Sequence, residues 1–147
     1  MDEIKAPAIV FPDQLQGRGH PANAFRAAYD LLARRAPVEA LQLLEPALEE
    51  DPGNTGLRVL RAWAWFMRTQ LGKAEDELAD LAAENPDDDW VRHTLGRVLE
   101  RQSRYAEALP HLRLAAAMTG DPEHEVAVLR VERRLAETGE RSYDDLT

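Results

Sequence analysis

Apolar residues recur at helical spacing along most of this chain, and a longer period lies on top of that spacing. Ala40, Leu44 and Ala47 are followed by Pro52. Ala74, Leu78, Leu81 and Pro86 repeat the same order 34 residues later. Ala108, Leu112 and Ala115 carry it a third time, again 34 residues on. Steps of three and four place such residues on one face of an α-helix. Proline ends each helix, because it lacks an N–H and its ring clashes with the preceding turn. The pattern predicts helix pairs near residues 22–34 with 38–50, 55–69 with 72–84, and 88–101 with 105–117. Pro37, Gly72 and Ser103-Arg104 fall in the short connections within pairs. Asp51-Pro52-Gly53-Asn54 and Asn85-Pro86-Asp87-Asp88 separate the pairs. Their Asn and Asp side chains can accept from the orphan N–H groups of the helix that follows. The acidic run Asp87-Asp88-Asp89 is read as such a helix start rather than a metal site.

Met118-Thr119-Gly120-Asp121-Pro122 makes a third linker, and a seventh helix is expected over 122–138. Val126, Leu129, Val131 and Leu135 give that helix apolar content, and Arg130, Glu132, Arg133, Arg134 and Glu137 a polar face. Gly139 is placed to stop it. Residues 1–20 fit none of this: Pro7, Pro12, Gly17 and Gly19 punctuate them. The run Ala8-Ile9-Val10-Phe11 is read as an arm docked on the body, and 139–147 as a tail.

A 34-residue period built from these residue types resembles the tetratricopeptide repeat family, whose unit is a helix–turn–helix. The resemblance covers about residues 21–122, with repeats at about 21–54, 55–88 and 89–122 and a capping helix at 122–138. It implies an all-α, right-handed α-solenoid of three such repeats plus the C-terminal cap. Each unit keeps a small residue (Ala28, Ala62 or Gly96) where the family's two helices approach closely. Arg58, Arg61 and Arg92 depart from the pattern, standing where apolar residues are expected.

The first helices of such pairs line a concave groove that holds an extended peptide or a partner helix. Carried onto this chain, the register places Phe25, Tyr29 and Leu32 in the groove, then Val59, Trp63 and Phe66. Trp90, His93, Arg97 and Arg101 follow, and the cap adds Arg130 and Arg133. One half is therefore aromatic and the other rich in arginine, the residue types enriched at binding hot spots. The expected ligand is a peptide with an apolar stretch followed by acidic residues or a terminal carboxylate, since arginine holds carboxylates bidentately. Arg97 is expected to be exposed. The competing reading pairs these arginines with Glu100, Glu132 or Glu137. It also makes Trp65 core, and leaves Trp63 and Phe66 between core and groove. The Lys and Asn clamp of chaperone-binding family members is absent, Phe25 and Tyr29 occupying its first positions.

The remaining features narrow the function. A chain of 147 residues fits one domain. With no cysteine, disulfides and thiolate metal sites are excluded. A net charge of −9 argues against nucleic acid and against anionic membranes. No signal peptide or transmembrane stretch is visible, and a cytoplasmic protein is expected. Ser103 and Ser142 lie in no nucleophile motif, and Gly17-x-Gly19 lacks the rest of a phosphate loop. His124-Glu125 lacks the second histidine of a zinc-protease motif, and His20, His93, His111 and His124 read as ordinary surface residues. No enzyme, cofactor or metal is expected. The function expected is a protein-interaction scaffold. A small chaperone for an unfolded client, a self-associating subunit and a homodimer through the N-terminal arm stand as alternatives.

Overall fold

The 34-residue spacing is realised in backbone geometry. A computed structural model describes residues 4–8 and 21–139. Among them it shows seven helices and no strand: α1 (Pro21–Ala33), α2 (Pro37–Glu50), α3 (Thr55–Met67), α4 (Leu71–Glu84), α5 (Asp89–Arg101), α6 (Tyr105–Thr119) and α7 (Pro122–Thr138). The Ile9 to Phe11 part of the expected arm and all of the tail beyond Gly139 lie outside the described residues.

All nine residues of the repeated face are buried: Ala40, Leu44 and Ala47; Ala74, Leu78 and Leu81; Ala108, Leu112 and Ala115. Each large apolar side chain fully withdrawn from water contributes about 2 kcal/mol. The caps repeat as well. Asn54 and Asp88 accept from Leu57 N–H and Val91 N–H, both at 3.1 Å. Asp88 is thus a capping group, as expected of the acidic run. Burial raises its pKa, its bond from Val91 N–H opposes that, and Asp89 and Asp87 push it up further.

The short connections inside the pairs are where the spacing puts them, but their backbone conformation was not legible. Arg35, Thr69 and Ser103 have φ of 62°, 56° and 60°, the left-handed conformation usually given to glycine. They stand 34 residues apart. The residue after each one closes the same bond across the turn: Ala36 N–H to Leu31 C=O, Gln70 N–H to Trp65 C=O, and Arg104 N–H to Leu99 C=O, at 2.8–3.0 Å. Pro37 begins α2 and Gly72 lies inside α4.

The chain forms two compact units, which divide within α4 after Glu77. In the first, α1 packs on α2 and α3. Arg58 and Arg61, the departures from the repeat pattern, converge there on Glu77. Arg61 Nη2 lies 2.7 Å and Arg58 Nε 3.6 Å from Glu77 Oε1, and Arg58 and Glu77 are both buried. Arg61 also lies over the Trp65 ring, 4.9 Å from its centroid, with Lys73 at 5.9 Å. Trp65 is therefore not core: it is half-buried, its face covered by two cations.

In the second unit α5 packs on α6 and α6 on α7. Gly96 explains how close α5 and α6 come. A Cβ there would lie 2.5 Å from Leu112 Cδ2 and 3.3 Å from the Ala108 carbonyl oxygen. Arg92 donates from Nη2 to the Ala82 carbonyl at 3.4 Å, so the third departure is also absorbed by a polar contact. α6 ends at Gly120 and α7 at Gly139, both left-handed.

Candidate functional site

In the first unit the predicted groove residues form an aromatic face on α1 and α3. The Phe25 ring fills the space beside Gly56, where a Cβ would come within 2.8 Å of it. Tyr29 leans on Trp63 with ring centroids 5.9 Å apart and planes tilted 59°. Leu32, Val59, Trp63 and Phe66 are buried, with Trp63 only 4% and Phe66 only 2% exposed. Their main work is core packing. Phe25 and Tyr29 are half-buried and present the accessible part of this face.

In the second unit a polar seam runs between α5 and α7. Asp89 Oδ2 lies 2.9 Å from His124 Nε2. The carboxylate only accepts, so this nitrogen carries the donated proton. The His124 ring lies against His93, with centroids 4.4 Å apart. Further along, Arg130 meets Glu100 with Nε and Nη2 at 2.5 and 2.8 Å, and Arg97 Nε lies 3.0 Å from the same carboxylate. Trp90 is buried on α5, and Arg101 is half-buried at the helix end. Arg133 is exposed and takes no part in the Glu100 cluster.

Two expectations fail here. Arg97 is not exposed: at 6% it is buried, because its side chain turns back to Glu100 one turn on. His93 and His124 are not surface residues either, each being 6% exposed. The i, i+4 series Asp89, His93, Arg97 marks one stripe of α5, and that stripe faces into the fold. Among the other acidic residues, Glu132 pairs with Arg113 and Glu137 with Arg134 rather than with the predicted arginines. Glu77, Asp89 and His124 were missed as partners. Only the placing of charges at helical spacing among apolar residues could have flagged them.

His93 titrates far from its ordinary range. Burial lowers its pKa most, and His124, Arg97 and Arg130 add to that while Asp121 opposes it, leaving a value of about 3 against 6.5. Burial lowers His111 as well, with Arg92 adding to that and Glu107 opposing it. The folded state thus binds fewer protons than the unfolded chain between these limits, so stability falls as pH drops below 6.5. From pH 6.5 to pH 5 the loss through His93 is expected to be about 2 kcal/mol. Urea unfolding across that range should show a smaller slope of stability with pH in His93→Gln. An identical slope would mean that His93 meets water freely.

Comparison with known proteins adds the relationship. Residues 31–98 match the family model described as tetratricopeptide repeat. The first such domain of human RPAP3 superposes with a TM-score of 0.73 at 17% identity, covering 82% of this chain and 96% of that one. The Sgt2 domain of the same type from Aspergillus fumigatus gives 0.74 at 18% identity, covering 87% of both. A MamA D159K mutant gives 0.69 at 19% identity, covering 81% of this chain and 66% of that one. At these identities the likeness shows the fold, an all-α helical-repeat solenoid. No curated protein matches this chain in sequence. Among the described residues no helix is long and apolar enough to cross a membrane.

Proposed function

We propose, from the tetratricopeptide-repeat match over residues 31–98 and the helical-repeat fold, that this chain is a non-catalytic interaction module that binds a peptide or a partner helix through its first helices. The observation that supports this reading is the aromatic face of the first unit. Phe25 and Tyr29 stand half-exposed on a buried floor of Val59, Trp63 and Phe66. Rigid rings on a packed floor lose little freedom on binding, so most of their contact energy reaches affinity. In the second unit Arg97 and Arg130 hold a carboxylate, that of Glu100. Their chemistry suits an acidic ligand, which would join Glu100 at Arg101 or displace it.

Selection from a random peptide display library tests the reading. Enriched peptides are expected to be apolar where they engage the first unit and acidic where they engage the second. Phe25→Ser is expected to weaken the apolar peptides and Arg101→Glu the acidic ones, each by about tenfold, the cost of one good contact. No enrichment, or binding untouched by both substitutions, would refute the proposal.

A further inference from the structure

We propose that residues 4–8 lie across the aromatic face of α1 and α3 as a tethered occupant, which a ligand must displace. The inference rests on reading that face as the binding face. Residues 4–8 belong to the first unit and form neither helix nor strand. Yet Pro7 is buried and Ile4 half-buried, while Lys5, Ala6 and Ala8 are exposed. Five residues without secondary structure cannot bury a side chain among themselves, so Pro7 rests against another part of the unit. Ile4 and Pro7 stand three residues apart. That is one turn of an extended polyproline-type chain, which brings every third side chain to the same side. Proline suits an apolar surface, having no N–H to leave unsatisfied there and a φ that is already fixed.

The exposed sides of the helices point to where the arm rests. Arg26 and Asp30 on α1, Val38 and Leu43 on α2, and Lys73 and Asp76 on α4 are all exposed, so these sides are not covered. The α1 and α3 face differs. Phe25 and Tyr29 are half-buried, and Val59, Trp63 and Phe66 are only 7%, 4% and 2% exposed. An aliphatic residue and a proline laid on aromatic rings remove apolar surface from water on both sides. The reach fits as well. Three extended steps from Ile4 to Pro7 span about 10 Å, and packed helices lie about 8–10 Å apart. One side chain can therefore meet α1 and the other α3. The ligand class follows from the occupant: an extended apolar segment with an aliphatic residue and a proline three positions later, rather than a helix.

The chain has no cysteine, so introduced pairs report the position of the arm in the full chain. Pro7→Cys combined with Phe25→Cys, or with Tyr29→Cys, is expected to crosslink within one chain through a short bis-maleimide. Pro7→Cys combined with Val38→Cys, on the exposed side of α2, is expected not to. Competition is read with a synthetic peptide of residues 1–12 added to the full chain. Pro7→Asp should bind it about tenfold tighter than the wild type, because an arm in place about nine-tenths of the time lowers the apparent affinity of a competitor by that factor. Crosslinking that favours Val38→Cys or shows no preference would overturn the proposal. So would a crosslink between two chains, which would make a second copy the donor of the arm, and so would equal affinity of the peptide for Pro7→Asp and the wild type. A display library that enriches nothing on Pro7→Asp, beside the expected crosslink and peptide affinities, would instead refute the interaction reading and leave the arm on its face.

Discussion

Glu77→Ala is expected to destabilise the first unit by about 3 kcal/mol, because removing one partner of a buried ion pair strands the other. Glu77 is the shared partner of Arg58 and Arg61. Arg61 also reaches Glu45, but only at 3.7 Å and through a half-exposed carboxylate. Arg58 Nε has Glu77 as its near carboxylate, and both side chains are about nine-tenths buried. Without Glu77, Arg58 and Arg61 lose the buried carboxylate they share. The isosteric change Glu77→Gln keeps the shape and a hydrogen-bond acceptor, and should cost less. Replacing Arg58, Arg61 and Glu77 together by methionine should cost less still, since no charge is then left buried. Urea denaturation of the three variants checks this order. If Glu77→Ala costs less than about 1 kcal/mol, the range of exposed pairs, the triad is solvated and contributes little.

Gly96→Val is expected to cost about 3 kcal/mol in the second unit, near the upper end for overpacking. The added Cβ alone meets Leu112 at 2.5 Å, and the Ala108 carbonyl at 3.3 Å limits escape to the other side. α5 and α6 must then move apart, loosening Leu109 and Val98 as well, which are now nearly inaccessible. Gly96→Ala should cost less, because alanine's better helix propensity returns about 1 kcal/mol. Combining Gly96→Val with Leu112→Ala should be clearly less than additive, the smaller side chain giving the valine room. Additivity within about 0.5 kcal/mol would place the strain elsewhere.

Much of the fold was legible because it rests on residue type at fixed spacing. The Ala, Leu and Pro positions gave the helix pairs, and Asn54 and Asp88 gave the caps, since a short acceptor before an apolar run has few other uses. The seam of the second unit was less legible. His93 and Arg97 share one face of α5 by their spacing, but their polarity suggests an exposed face where the fold buries it. Polar residues can line a buried stripe when Asp89 and Glu100 lie at matching heights, and that pairing arises only once α7 packs against α5. Trp65 failed for the opposite reason. Its size suggested core, whereas Arg61 and Lys73 cover a ring left at the surface. The left-handed backbone at Arg35, Thr69 and Ser103 escaped because none is glycine.

Those three turns have a consequence for how evenly the array holds together. A side chain in the left-handed conformation is disfavoured by about 1 kcal/mol, and here it occurs once in every repeat. An array in which each repeat leans on its neighbours is limited by its feeblest member. One repeat with glycine at this position would outlast the others, and the chain would open piecemeal around it. Three equal handicaps leave no repeat favoured, so at these turns at least the units are matched rather than individually strong.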